Sequence, residues 1–440
     1  MNRKTSLRLF ALLILLALLT SSLPGLPRQV QPALAQREIC EGEFLPVSLP
    51  LPELGSQAYT RMDGQATEFT GGLYPGGSNV RPPEHEAAGQ ALAAQIQPLA
   101  PDGSPDPVNG RIIVISIGMS NTGQEFGEFQ KMARNNPLIN SKVFLINGGV
   151  GGRTAEFWVD PNSDAWDELQ RRLDHYEISA EMVQVAWIKL TLFQGGDFPA
   201  KAVELEEHLE LIVKDLKRRF PNLNLAFLSS RTRSYTYWRG LSPEPVAFET
   251  GFSVKWLIER QIEGNPDLNY DPGRGEVKAP YLSWGPYLWV DGENERADGL
   301  VWTADDLYSD CTHPSEEGMR KVATLLTDFF MNDSLTASWF SAAGAAAATP
   351  APWPTTALAA QASATLTQEP APSATSSATA ASATSTPAPT GLPLISITPT
   401  PAADQEAPPF NLFSPGMMLL VGLTLGLFIG LGRNLLRGRK

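Results

Sequence analysis

Ser120 lies in the segment SIGMSN that ends the β-branched run RIIVIS, and far along the chain SDCTHPSEEG carries Asp310 and His313 three residues apart. A serine hydroxyl is a poor nucleophile until a neighbouring base takes its proton. The D-x-x-H spacing lets one short loop present an imidazole while a carboxylate holds its other ring nitrogen, which fixes tautomer and orientation. Taken singly, GMSN reads as a turn and Asp310 as a helix cap. Taken together, a serine after the first strand and D-x-x-H before the last helix point to a serine hydrolase.

The elements that must bring these groups together are legible as alternating patterns. Strand-like apolar runs are RIIVIS from Arg111, KVFLI from Lys142, VQVAWIKL from Val183 and NLAFLSS from Asn224. Between and after them, apolar residues spaced three and four apart predict helices over Gln124 to Arg134, Asp164 to His175, Ala200 to Phe220, Ala247 to Glu263 and Ser315 to Asn332. The alternation implies an α/β fold, a parallel sheet with helices on both faces. Ligands of such sheets bind beyond the carboxyl ends of the strands. Ser120 falls there, as do NGGVGGRT, KLT and SSRTRS. Ser315 is placed to cap the last helix, but Gly318 has no side chain to complete a capping box.

This layout resembles the SGNH, or GDSL-like, hydrolase family over roughly Arg111 to Asn332. The resemblance implies a flavodoxin-like three-layer α/β/α sandwich, with Ser120 as nucleophile and Asp310 and His313 as its partners. It also implies an oxyanion donor in NGGVGGRT, with the backbone N–H of Gly152 in the donor place and Gly151 next. One good donor of this kind contributes about 2.7 to 4 kcal/mol, and glycine permits the close approach. The third family block normally supplies an asparagine or glutamine, whereas alignment of WIKLT on Trp187 puts Lys189 there. A lysine can donate to an oxyanion as a point charge, or it can pair with a carboxylate such as Asp197.

Other candidates carry less chemistry. HEAAG at His85 starts like a zinc-protease H-E-x-x-H but lacks the second histidine, and His175 and His208 have no ligand partner in spacing. No nucleotide-phosphate loop is present. No metal or organic cofactor is expected. Arg231, Arg233, Tyr235, Tyr237, Trp238, Trp284, Tyr287 and Trp289 sit in segments near the expected mouth; they would stack on sugars there or simply pack the domain.

The ends differ in composition from the middle. An apolar run from Leu9 to Leu19 behind Arg3, Lys4 and Arg8, then ALA at residues 33 to 35, reads as an export signal over 1–35. The expected order continues with an N-terminal extension over 36–110, the hydrolase-like domain over 111–340 and an Ala/Thr/Ser/Pro-rich spacer over 341–409, too poor in apolar residues to fold. A transmembrane helix over 414–432 follows, near the lower limit of ~17 residues for crossing a bilayer. The basic tail 433–440 is then cytoplasmic by the positive-inside rule. The two cysteines, Cys40 and Cys311, pair or stand separately. A formal net charge of −13 argues against a nucleic-acid partner. The chain thus reads as an exported, membrane-tethered esterase acting on ester or O-acyl groups, acylated carbohydrate among them. The alternative is a hydrolase-shaped surface module that binds glycans without turnover.

Overall fold

The computed structural model describes residues 44–134, 136–237 and 240–343 of the 440-residue chain. A short antiparallel hairpin, β1 (Ala58–Thr60) and β2 (Ala66–Thr70), precedes helix α1 (Pro83–Ala93). Five strands then build the main sheet: β3 (Ile112–Gly118), β4 (Val143–Ile146), β5 (Val183–Lys189), β6 (Leu225–Leu228) and β7 (Tyr281–Trp284). The longer helices between and after them are α2 (Ser120–Arg134), α3 (Asp164–His175), α4 (Ala200–Arg219), α5 (Val246–Ile262) and α6 (Glu316–Asn332).

Every residue of β3, β5, β6 and β7 is buried. That is the condition of strands covered on both faces, and it explains their nearly continuous apolar sequences. The strands run parallel in the order β4-β3-β5-β6-β7. This is the 2-1-3-4-5 order of flavodoxin-like sheets, which places the topological switch point beside the first strand. Alternate side chains divide between two cores. Ile113, Ile115 and Ile117 pack with Leu169 and Leu173 of α3, Leu205 and Leu209 of α4 and Phe252 of α5. Val114, Val185, Trp187 and Phe227 pack on the other face with Phe126 and Phe129 of α2 and Leu326 and Phe330 of α6. Two faces and one sheet give the expected three layers.

Relative to the sequence reading, the structure adds one strand and lengthens one helix. The fifth parallel strand, β7, lies inside the aromatic segment that was expected to be loop or short strand; YLSW is fully buried in register with β6. Helix α2 begins at Ser120, four residues before the expected start. The N-terminal extension is tied into the domain: Val47 N–H donates to Asp291, Tyr59 Oη to Glu249, and His85 Nε2 lies 2.9 Å from the Leu282 carbonyl. The folded part runs slightly past 340, since Ser341 pairs with Ile139. Among the described residues no helix is long and apolar enough to cross a membrane. The expected export signal, the transmembrane segment and almost all of the spacer lie outside the described residues.

Candidate active site

Strand β3 passes into α2 through Gly118 and Met119 with no room to spare. A Cβ on Gly118 would meet Thr122 Oγ1 at 2.2 Å and the Lys189 carbonyl oxygen at 2.5 Å. Only glycine allows this approach, and the tight turn puts Ser120 at the first position of a fifteen-residue helix. The first N–H groups of a helix have no partner within it and carry the positive end of its dipole. Ser120 Oγ therefore stands where negative charge is favoured.

The loop before α6 delivers the other two groups. His313 Nε2 is 2.8 Å from Ser120 Oγ, and His313 Nδ1 is 2.7 Å from Asp310 Oδ2. A carboxylate only accepts, so Nδ1 carries the proton and Nε2 offers its lone pair to the serine hydroxyl. Asp310 also accepts at Oδ1 from the backbone N–H groups of Thr312 and His313, at 3.0 and 2.9 Å. Partial burial pushes the Asp310 carboxyl up, but these N–H groups and the His313 ring outweigh it and hold the group below the ordinary aspartate range. The loop folds on itself through Tyr308 N–H to the His313 carbonyl and Cys311 N–H to the Tyr308 carbonyl. Cys311 sits at φ +56° and is disulfide-bonded. Cys40, the other cysteine of the chain, lies outside the described residues. The last helix is capped as its sequence suggests, Ser315 Oγ accepting from Gly318 N–H at 3.3 Å.

Ser120, remote in the chain from Asp310 and His313, thus forms one continuous relay with them. No family model matches this chain, and no curated protein matches it. Among solved structures, a protein from Arabidopsis thaliana determined at 1.6 Å is similar over 47% of this chain and 67% of its own, with 11% identity and a TM-score of 0.27. A likeness that slight adds nothing to the geometry.

Lys189 is turned inward. Its Nζ lies 2.5 Å from both carboxylate oxygens of Glu125, and both side chains are fully buried. The partner is Glu125 of α2 rather than Asp197, and the ammonium is committed to that carboxylate instead of being offered to an oxyanion. Burial lowers the Lys189 ammonium to about 8; Glu125 opposes the shift and nearby Arg231 adds to it. Arg231, also buried, interacts electrostatically with both members of this pair and with the buried Glu244. Glu125 carries no sequence signal of this role, because it lies five positions after the serine and no motif marks it.

The loop after β4 approaches α2 closely enough for a Cβ on Gly149 to fall 2.4 Å from Gly123 Cα. Arg172 Nη1 holds this loop through the carbonyls of Asn147 and Gly149, at 2.5 and 2.9 Å. A cleft of about 510 Å³ opens beside it, lined by Ser120, Gly123, Gln124, Asn147, Gly149 and Gly151, with Arg171, Arg172, His175 and Tyr176 further along. Of Gly151 and Gly152, it is Gly151 that shares the cleft with Ser120. Gly152 is next in the same turn, exposed, at φ +71°.

The remaining candidates are structural. Arg231, Arg233, Tyr235, Trp284, Tyr287 and Trp289 are buried, so their rings and guanidinium groups pack the domain instead of lining a mouth. Tyr237 Oη takes part in that packing, accepting from Leu45 N–H and from Arg233. Trp238 lies outside the described residues. His85 stacks on Tyr281 with centroids 4.2 Å apart, and burial lowers it to about 4, so it is a neutral core residue. Among the described residues no cluster of three His, Cys, Asp or Glu side chains could hold a metal.

Proposed function

We propose that this chain is a serine esterase of the SGNH type, hydrolysing ester or O-acyl groups, those of acylated carbohydrates included. The observation that carries the reading is the relay itself, Ser120 Oγ to His313 Nε2 at 2.8 Å and His313 Nδ1 to Asp310 Oδ2 at 2.7 Å. Ser120 Oγ attacks the ester carbonyl while its proton passes to His313 Nε2, and Asp310 stabilises the imidazolium. The oxyanion forms against the backbone N–H groups of Ser120 and of the Gly151 and Gly152 turn, aided by the start of α2. The carbonyl re-forms as the ester C–O bond breaks, and His313 returns its proton to the departing alcohol. Water, deprotonated by His313, then attacks the acyl-serine, and Ser120 leaves with that proton. Lys189 is assigned no step. The end segments support an exported protein held at the membrane by its C-terminal span, with the domain outside the cytoplasm.

The decisive experiment incubates the protein with a short-chain aryl ester and with a fluorophosphonate probe. Hydrolysis and labelling at Ser120 are expected, and Ser120→Ala should lose both, hydrolysis by at least ~10³-fold. Equal hydrolysis in that variant would refute the proposal. Retention on polysaccharide without labelling would favour the binding-module alternative.

A further inference from the structure

Asn121 directly follows the nucleophile, is 1% exposed, and donates from Nδ2 to the Thr312 carbonyl oxygen at 2.5 Å. Thr312 immediately precedes His313. The bond therefore runs from the first turn of α2 to the backbone that carries the catalytic imidazole. The backbone N–H groups of Tyr308, Cys311, Thr312 and His313 bond within the loop itself. They give it shape, but they do not fix its height above α2. Asn121 adds a hydrogen bond across to α2 beside the catalytic contact.

The amide's orientation follows from its partner, because a carbonyl oxygen accepts only and the nitrogen must face it. Asn121 Oδ1 is left buried with no hydrogen bond. An apolar side chain would avoid that cost, so the position favours the donor at the expense of an orphaned acceptor.

We propose that Asn121 is a positioning residue, a buried strut that sets the meeting of His313 Nε2 with Ser120 Oγ. The proposal rests on the esterase reading of those two residues. It makes a distinctive prediction for Asn121→Asp, which keeps the shape. An ionised carboxylate would repel the Thr312 carbonyl, whereas a protonated one would donate to it as the amide does. Burial against a carbonyl raises the pKa of the new carboxyl. The ratio of variant to native kcat should therefore be highest at acid pH and fall as pH rises through that pKa.

The test measures kcat and KM for an aryl ester across pH, and the rate of fluorophosphonate labelling at Ser120, in the native protein, Asn121→Asp and Asn121→Ala. Expected at neutral pH is a loss of about 10²-fold in kcat and labelling rate for both variants, the size associated with ~1 Å of misplacement. KM should hold within about threefold, and the kcat ratio should depend on pH only in the aspartate variant. Should Asn121→Asp fail to fold, Asn121→Ala carries the comparison, with thermal unfolding as the check. Native labelling with variant rates within about threefold of native overturns the strut and leaves the esterase reading standing. A loss confined to KM, or a pH-independent kcat ratio in a folded Asn121→Asp, overturns it too. Failure of the native protein to label overturns both.

Discussion

Lys189 and Glu125 form an ion pair with neither side chain exposed, the ammonium nitrogen lying 2.5 Å from each carboxylate oxygen. Removing one partner of such a pair leaves a buried charge uncompensated and typically costs ~3 to 5 kcal/mol, whereas replacing both with apolar groups is often neutral. Lys189→Met is expected to lose stability in that range by chemical denaturation. Lys189→Met combined with Glu125→Leu should recover most of it, since neither half of the pair is then left behind. The double variant should also retain esterase activity within about tenfold, because the lysine holds the floor of the site and not its oxyanion. A large, unrecovered loss of kcat in the folded double variant would return Lys189 to the catalytic set.

Glu249 supplies a pH signature. Burial raises its carboxyl from 4.5 to about 7, with the Tyr59 hydroxyl donating to it and opposing the shift. A carboxyl with a raised folded pKa binds more protons in the native state than in the unfolded one. Its contribution is full below pH 4.5 and declines as pH climbs to about 7. The decline is on the order of 3 kcal/mol. Glu249→Gln should flatten the stability curve across that window in urea titrations, and a curve of unchanged slope would contradict the assignment.

How much of this was readable beforehand depended on whether a residue's role is local or relational. Strands β3, β5 and β6 announce themselves because burial on both faces forces continuous apolar runs. Ser120, Asp310 and His313 are legible because their chemistry limits the residue types and the α/β frame limits their places. Strand β7 was hidden because YLSW is brief and its aromatics suit a binding mouth as well as a core. Lys189 was ambiguous for a deeper reason: its environment depends on Glu125, which only the packing of α2 on the sheet brings near. Asn121 stood in the quoted block, yet its partner is a backbone carbonyl, which no side-chain pattern reveals.

Asp310 is more exposed than the buried acids of many triads, with 52% of its side chain accessible. Its work is chiefly to orient the imidazole through Nδ1 and to shape the loop through two backbone N–H groups. Solvent weakens its electrostatic share. Asp310→Asn should therefore lower kcat by ~10²- to 10³-fold, less than the ~10⁴-fold of a buried acid. Because its carboxyl is held below the ordinary range, the native protein should keep it ionised down to acid pH. Its stabilising contribution is present above the unfolded value and is lost only as pH falls through the lower folded one. Steady-state rates of the variant, together with an acid-limb profile of the native protein, check both parts.

Gly149 and Gly151 lie in one loop and make opposite predictions. A Cβ on Gly149 would sit 2.4 Å from both Cα and N of Gly123, so alanine there must push the loop away from α2. Overpacking of that kind costs about 1 to 3 kcal/mol, and it shifts the turn that carries the proposed oxyanion donors. A displacement near ~1 Å costs about 10²-fold in rate. A Cβ on Gly151 meets nothing within 4 Å, and its φ lies outside the left-handed region. Gly149→Ala is therefore expected to lose both thermal stability and kcat, whereas Gly151→Ala should leave stability near native and kcat within about threefold, since a backbone N–H survives the change. If the two variants behave alike, the close approach of this loop to α2 does not set the oxyanion geometry.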